Sequence, residues 1–260
     1  MIKSRKKGII VAIVLISLGL LIFLGGMAAL NFDFTKLSTV KYETNVYRPE
    51  GDFNKISIDV SETEITFALS DDGGCRVECY EEDKVKHTAV VEDGVLQIDT
   101  VDARKWYDNI NATFGQAKMT IYLPKEEYSV LSVEAGTGSV EVTAEFSFEN
   151  LYISGDSADV ECLASVTNCI EISTDTGNIK VDAIDGKKME LSTDTGDINV
   201  ASVTMEDEVK VETDTGYINL TDLKCEELSA ESETGNVSLI NVASQGKFNI
   251  KNDTGDVKLE

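Results

Sequence analysis

Positive charge is scarce in this chain and histidine almost absent. Lys and Arg total 23 against 47 Asp and Glu, His87 is the single histidine, and the formal net charge is −24. The imbalance is greater past the N-terminus, because Lys3, Arg5, Lys6 and Lys7 all precede the first acid, Asp33. Nucleic acids and anionic lipid headgroups are held through basic patches, so neither is an expected partner. A lone histidine outside any pattern reads as an ordinary surface or core residue. No arginine recurs along the second half, and few aromatics fall at outward positions there, Tyr152 and Tyr217 being the clearest. A glycan-cleaving or sugar-stacking face is therefore not indicated.

Cysteine is sparse too. There are five, an odd number, and none before Cys75, which leaves no N-terminal cysteine for lipid attachment. Cys75 and Cys79, four residues apart on one strand, are separated by roughly 13 Å, too far to bridge. Cys75-x₃-Cys79 lacks histidine partners or a second pair, so it is no zinc signature. Free, mostly buried thiols are expected, Cys162 among them as a small core hydrophobe.

What the chain does have begins with Gly8–Leu30, 23 residues without a charge. A bilayer span needs about 20 apolar residues. Basic residues before it and none inside orient such a span with its N-terminus in the cytoplasm. A cleaved signal peptide is the competing reading, with Gly26-Met27-Ala28 as a poor cleavage site. The expected organisation is a cytoplasmic basic tail at 1–7, a transmembrane helix at 8–30 and a linker at 31–44. An N-terminal β cap at 45–130 and a repeat β-solenoid at 131–260 follow.

The repeat carries the fold. Asp-Thr-Gly stands at Asp175-Thr176-Gly177, Asp194-Thr195-Gly196, Asp214-Thr215-Gly216 and Asp253-Thr254-Gly255, with Glu233-Thr234-Gly235 a close variant. Taking Gly138, Ala158, Gly177, Gly196, Gly216, Gly235 and Gly255 as anchors, the spacings are 20, 19, 19, 20, 19 and 20. A unit that short cannot bury its own apolar face and must stack on its neighbours. Seven and five places before each anchor, and two and four after it, all 28 residues are apolar. Apolar places two apart mark strands with one buried face. The alternation slips by one at the anchor, so the chain kinks there, where glycine tolerates positive φ. Ile184, Val203, Leu223 and Val242, seven after their anchors, suggest a third wall. A parallel β-solenoid of about seven coils satisfies these constraints; a string of antiparallel hairpins is the alternative. Ile56, Ile58, Ile65 and Phe67 share the internal spacing of the four core columns, so stacking starts before the repeats.

Asp-Thr-Gly is also the active-site tripeptide of aspartic proteases, but two copies facing across a cleft are needed there. Consecutive copies in one column read as turn formers. Asp156, Asp175, Asp194, Asp214, Glu233 and Asp253 would form one acidic column, with Asp159, Asp197 and Asp256 just after the anchor. Stacked carboxylates need backbone N–H partners or a cation such as calcium, and the turn-former role is preferred. Asn111, Asn219 and Asn236 begin glycosylation sequons, which matter only in a eukaryotic secretory pathway.

The basic start and single span, Asn31-Phe32-Asp33-Phe34, the strand ending Tyr122-Leu123-Pro124-Lys125 and the Ser-Thr-Asp-Thr-Gly-Asp/Asn-Ile repeats carry a resemblance. The chain resembles the bacterial "putative adhesin" domain-of-unknown-function family, related to LiaG-like envelope proteins of Gram-positive bacteria. The resemblance implies an extracytoplasmic β-solenoid on a membrane anchor, often linked with envelope-stress or membrane-associated regulatory systems, and brings no catalytic motif. The expected function is a non-enzymatic surface or envelope interaction protein. Its expected partners are the lipid bilayer, through the N-terminal helix, and a cell-envelope polymer or membrane protein. A sensory or scaffolding partner of a membrane signalling system and a glycan-active β-helix enzyme are the alternatives. No catalytic, cofactor-binding or metal-ligating residue is assigned.

Overall fold

The structure, a computed structural model, describes residues 2–32, 40–106 and 115–260. Parts of the expected linker, most of the irregular segment at 105–116, and the Asn111 sequon lie outside the described residues. The chain divides into two units, Met1–Lys41 with Arg104–Gly115, and Tyr42–Ala103 with Gln116–Glu260.

The first unit contains helix α1 (Ile2–Ala29). Its stretch Val11–Ala29 has a mean hydropathy of 2.6 over 19 residues. At 1.5 Å per residue that reaches about 28 Å, the thickness of a bilayer's hydrocarbon layer. Ile16, Leu21 and Ile22 are exposed, and a helix apolar on every side has no polar face to turn toward water.

The second unit is all β. It opens with β1 (Tyr42–Tyr47), β2 (Lys55–Leu69), β3 (Arg76–Glu82), β4 (Val85–Glu92), β5 (Val95–Asp102) and β6 (Ala117–Leu123). The long strands β7 (Glu127–Val142) and β8 (Ser147–Cys162) follow, each running through its anchor without a break. Later coils break at the anchor. They comprise β9 (Ser165–Thr176), β10 (Ile179–Asp182) and β11 (Asp185–Gly186), then β12 (Lys188–Thr195) and β13 (Ile198–Met205). Next come β14 (Glu208–Thr215), β15 (Ile218–Cys225), β16 (Glu227–Thr234), β17 (Val237–Ile240), β18 (Ala243–Ser244), β19 (Phe248–Thr254) and β20 (Val257–Leu259).

From β7 onward like positions stack in parallel. Val140 lies beside Val160, then Ile179, Ile198, Ile218, Val237 and Val257 in turn. Leu131 begins a second column through Leu151, Ile170, Met189, Val209, Leu228 and Phe248. Parallel pairing excludes the string of hairpins, whose neighbouring strands would run antiparallel. On the first six levels every one of the four expected inward positions is at most 2% exposed. On the last level Phe248, Val257 and Leu259 are 47%, 46% and 61% exposed, having a stacked neighbour on one side only.

The third wall is present. Ile184, Val203 and Leu223 are fully buried, and Val242 packs against the same core. What turns the chain toward it is a second corner one residue earlier, at Ala183, Ser202, Asp222 and Asn241, with φ of 60°, 56°, 52° and 54°. No glycine marks this corner, so the spacing alone did not reveal it.

Six of the seven anchors are glycine, Ala158 on the unbroken strand β8 being the exception, and from Gly177 onward there are two reasons. Gly235 and Gly255 have φ of 152° and 135°, which L side chains rarely adopt. More decisively, each anchor sits against the carbonyl of the anchor one level earlier. A Cβ on Gly196 or Gly216 would lie 1.9 Å from the oxygen of Gly177 or Gly196, and one on Gly235 or Gly255 1.8 Å from that of Gly216 or Gly235.

Stacking begins at β2, which lies parallel on β7 with Ile56 against Leu131, Ile58 against Val133 and Ile65 against Val140. One further level precedes it, shared by two strands. β5 is parallel to the first half of β2, up to Asp59 beside Asp99, and β6 to the second half, from Thr63 beside Ala117. Antiparallel β4 on β5, β3 on β6 and β1 on β3 complete this end. Thr63 holds the place that glycine holds later. The preceding level is split there between β5 and β6, and the Thr63 hydroxyl meets His87 Nε2 at 3.2 Å.

Two predictions follow from the packing. Gly216→Ala should cost at least about 2 kcal/mol, because a backbone oxygen cannot move aside. Gly74→Ala, where a Cβ meets only Asp72 Oδ1 at 3.5 Å, should stay within about 0.5 kcal/mol; thermal unfolding followed by circular dichroism measures both. Ile198→Ala should cost about 2–5 kcal/mol, against under about 1 kcal/mol for Leu259→Ala on the open last level, read as denaturant midpoints.

Candidate functional site

The side chains with chemistry fall into three places: the stacked turn, the outer faces of the coils, and a buried polar cluster at the N-terminal end of the solenoid.

At the turn, the acids of the tripeptide, Asp175, Asp194, Asp214, Glu233 and Asp253, and Asp156 of the same column, are exposed. The turn's inter-level hydrogen bonds come from residues on either side of the tripeptide. Just after the anchor, Asp159 Oδ1 accepts from the Asn178 N–H at 2.7 Å, and Asn178 Oδ1 from the Asp197 N–H at 2.9 Å. Asp197 Oδ1 accepts from the Tyr217 N–H at 2.8 Å, and Asn236 Oδ1 from the Asp256 N–H at 2.9 Å. Each side chain thus satisfies the backbone one level on. Three places before the anchor, Thr193, Thr213 and Ser232 are buried and donate to the carbonyls of Gly177, Gly196 and Gly216 at 3.1, 3.1 and 3.3 Å. Asn252 Nδ2 repeats the bond to Gly235 at 3.1 Å. The sequence reading missed this polar column. Its signal was available, since the odd positions before the anchor all face inward and the last five coils carry a polar residue there: Thr174, Thr193, Thr213, Ser232 and Asn252.

The outer faces carry ladders of their own. Lys180 pairs with Glu161 at 2.6 Å, Lys210 with Glu190 at 3.0 Å and Glu212 at 3.3 Å, and Lys188 with Glu208 at 3.3 Å. Lys251 pairs with Glu231. Asn219 Nδ2 donates to Asn199 Oδ1 at 3.0 Å. These pairs are exposed, so salt and side-chain entropy keep each contribution small. Tyr152 and Tyr217 stand at the surface on separate levels, as expected from their outward positions.

The buried cluster gathers residues far apart in sequence. Glu81 and His87 are 0% and 2% exposed. His87 Nδ1 lies 2.6 Å from Glu81 Oε2, which also accepts the His87 backbone N–H at 2.8 Å. Glu81 Oε1 accepts from the Tyr47 hydroxyl and from Asn45 Nδ2, each at 2.7 Å. On the far side of the ring, His87 Nε2 is 3.2 Å from Thr63 Oγ1. Cys79, fully buried, presents its thiol to the same pair, and the three side chains each offer a ligand atom within 4.8 Å of the others. Burial opposes ionisation of Glu81, but the hydrogen bonds from Tyr47, His87 and Asn45 outweigh it and hold the carboxyl below its ordinary range. Burial, helped by Glu81 and Glu78, pushes the Cys79 thiol up to about 12. His87, expected to be an ordinary residue, is therefore the centre of a polar network. Nothing in the local sequence marks it, because the rest of the network comes from three other strands, β1, β2 and β3.

The five cysteines are free, as expected. Burial pushes Cys75 and Cys162 up to about 12 as well, which leaves their thiols unreactive. Cys75 lines a polar recess of about 430 Å³ with Asp52, Phe53, Glu126 and Tyr128. Phe53 stacks on Tyr128 there at 6.0 Å.

None of the curated proteins matches this chain in sequence. Solved structures do match in fold. A "putative lipid binding protein" from Parabacteroides distasonis ATCC 8503 is 17% identical with a TM-score of 0.51, covering 86% of this chain and 98% of its own. A "putative adhesin" from the same organism is 17% identical with a TM-score of 0.50, over the same shares. At such identities the likeness is one of fold. The family model Toastrack DUF4097 matches residues 53–260, from just before β2 through all the stacked coils, and the chain belongs to that family.

Proposed function

We propose that this protein is a membrane-anchored, extracytoplasmic β-solenoid that offers a stiff, adhesin-like surface to a cell-envelope polymer or a membrane protein, and that it catalyses no reaction. The observation that carries this reading is the outer surface of the coils. Its polar side chains are spent on one another and on the backbone in repeating ladders, over a dry core, with no convergent set of reactive groups among the described residues of the repeats. Repetition of that kind suits recognition of an extended, repeating partner, since each level offers a similar set of donors and acceptors.

The anchor is the apolar helix Val11–Ala29. Lys3, Arg5, Lys6 and Lys7 before it favour a cytoplasmic N-terminus, which sends the solenoid to the other side. The excess of acids keeps neighbouring copies apart and leaves nucleic acid out of reach. In this reading residues 1–7 are the tail, 8–30 the span, 31–44 the linker, 45–130 the cap and 131–260 the repeats.

Two measurements test it. In intact spheroplasts, added protease should degrade the solenoid before lysis; protection until lysis would place it in the cytosol and overturn the topology. The full-length chain in detergent should bind isolated wall fragments saturably without shortening them, or retain a single membrane protein. Turnover of the polymer, or neither kind of binding, defeats the functional reading.

A further inference from the structure

We infer that Cys79, Glu81 and His87 form a binding site for a divalent transition-metal cation of the zinc type. The donor set is the first reason. A thiol, an imidazole and a carboxylate are the three side-chain types that zinc takes. Here one of each converges within 4.8 Å, all buried. Cys79 and Glu81 are two apart on β3 and so share a face, while His87 comes from the adjoining strand β4.

The surroundings are the second reason. A metal-bound imidazole usually donates its other N–H to a fixed acceptor, and a metal-bound carboxylate is itself hydrogen bonded. Both supports are already built. Thr63 Oγ1 lies 3.2 Å from His87 Nε2, and Tyr47 and Asn45 hold Glu81 Oε1 at 2.7 Å each. Those bonds leave His87 Nδ1, Glu81 Oε2 and Cys79 Sγ on the inner side of the cluster. Lys86 Nζ pairs with Glu81 Oε1 at 3.9 Å, the long end of an ion pair. A buried carboxylate is costly without opposite charge, and a divalent ion between the three donors adds to what Lys86 supplies at Oε1.

The displacement needed is small. Zinc bonds of about 2.0–2.3 Å put neighbouring donors roughly 3.3–3.7 Å apart. Nδ1 and Oε2, now 2.6 Å apart, would separate by about 1 Å, and Sγ would draw in by no more than a similar amount. The ion takes the place of the proton between Nδ1 and Oε2, and that proton passes by way of solvent to Nε2. The Cys79 thiol loses its proton to solvent, and the imidazole stays neutral with its one proton on Nε2, donated to Thr63. Three protein donors leave the fourth position of a tetrahedral ion to a water molecule.

The test uses the full-length chain in detergent micelles, treated with chelator and then titrated with Co(II) and Zn(II). About one ion should bind per chain. Cobalt should give a thiolate charge-transfer band in the near ultraviolet that zinc displaces. Zinc, unlike calcium, should raise the thermal midpoint, and chelator should reverse the rise. Cys79→Ser should abolish the band, His87→Gln should weaken zinc binding by about tenfold or more, and Cys225→Ser should change neither. If Cys79→Ser does not fold, the cobalt band of the parent and its weakening in His87→Gln decide the matter. No band and no zinc-dependent rise in the parent, or a band that survives Cys79→Ser, overturns the site.

Discussion

One close approach governs this molecule: from Gly177 onward the anchor glycine of each level lies against the carbonyl of the anchor before it. A Cβ at Gly196, Gly216, Gly235 or Gly255 would stand 1.8–1.9 Å from that oxygen. Because the backbones meet there, every level turns at the same place, and the residues on either side return to the same columns. The dry interior of Val, Ile and Leu follows from that alignment. The period of 19 or 20 residues is compatible with it, because the one-residue difference falls between the third wall and the next coil, as in Ile184 to Met189 against Val203 to Val209, and displaces no inward column.

The stacked backbone also explains how so acidic a chain tolerates its own repetition. The residues just after the anchors, Asp159, Asn178, Asp197 and Asn236, accept a backbone N–H from the next level. Asp and Asn alternate in this role, which halves the charge along the ladder. Tyr217 interrupts it, and its own N–H is still satisfied by Asp197. The tripeptide acids face water, where screening weakens their repulsion. On the flanking faces Lys180, Lys210 and Lys251 each pair with a glutamate of the preceding level, which offsets the like stacking of Glu141 on Glu161, Glu171 on Glu190 and Glu212 on Glu231.

The end opposite the open last level is built differently. β5 and β6 divide one level between them, with Thr63 at the start of the half that pairs with β6. Through its hydroxyl Thr63 joins the polar cluster of His87 and Glu81. The cluster's hydrogen bonds through Asn45 and Tyr47 also hold β1, which pairs with β3. The irregular end of the solenoid is thus where buried ionisable groups collect, while the regular levels bury apolar side chains and small hydroxyls.

Periodicity alone gave the anchors, the four inward columns and the place of a third wall, because a stack writes the same requirement on every level and the repetition makes it visible; it favoured a solenoid over a string of hairpins, and the parallel pairing of the strands decided between them. The apolar span and the excess of acids were equally legible, being properties of local composition. Only the tertiary structure decided the left-handed corner at Ala183, Ser202, Asp222 and Asn241, since a backbone angle tolerated by ordinary residues leaves no mark in residue type. It alone placed β5 and β6 as a shared parallel level and brought Thr63, Cys79, Glu81 and His87 together. Those contacts join strands distant along the chain and occur once, so no recurrence along the sequence announces them.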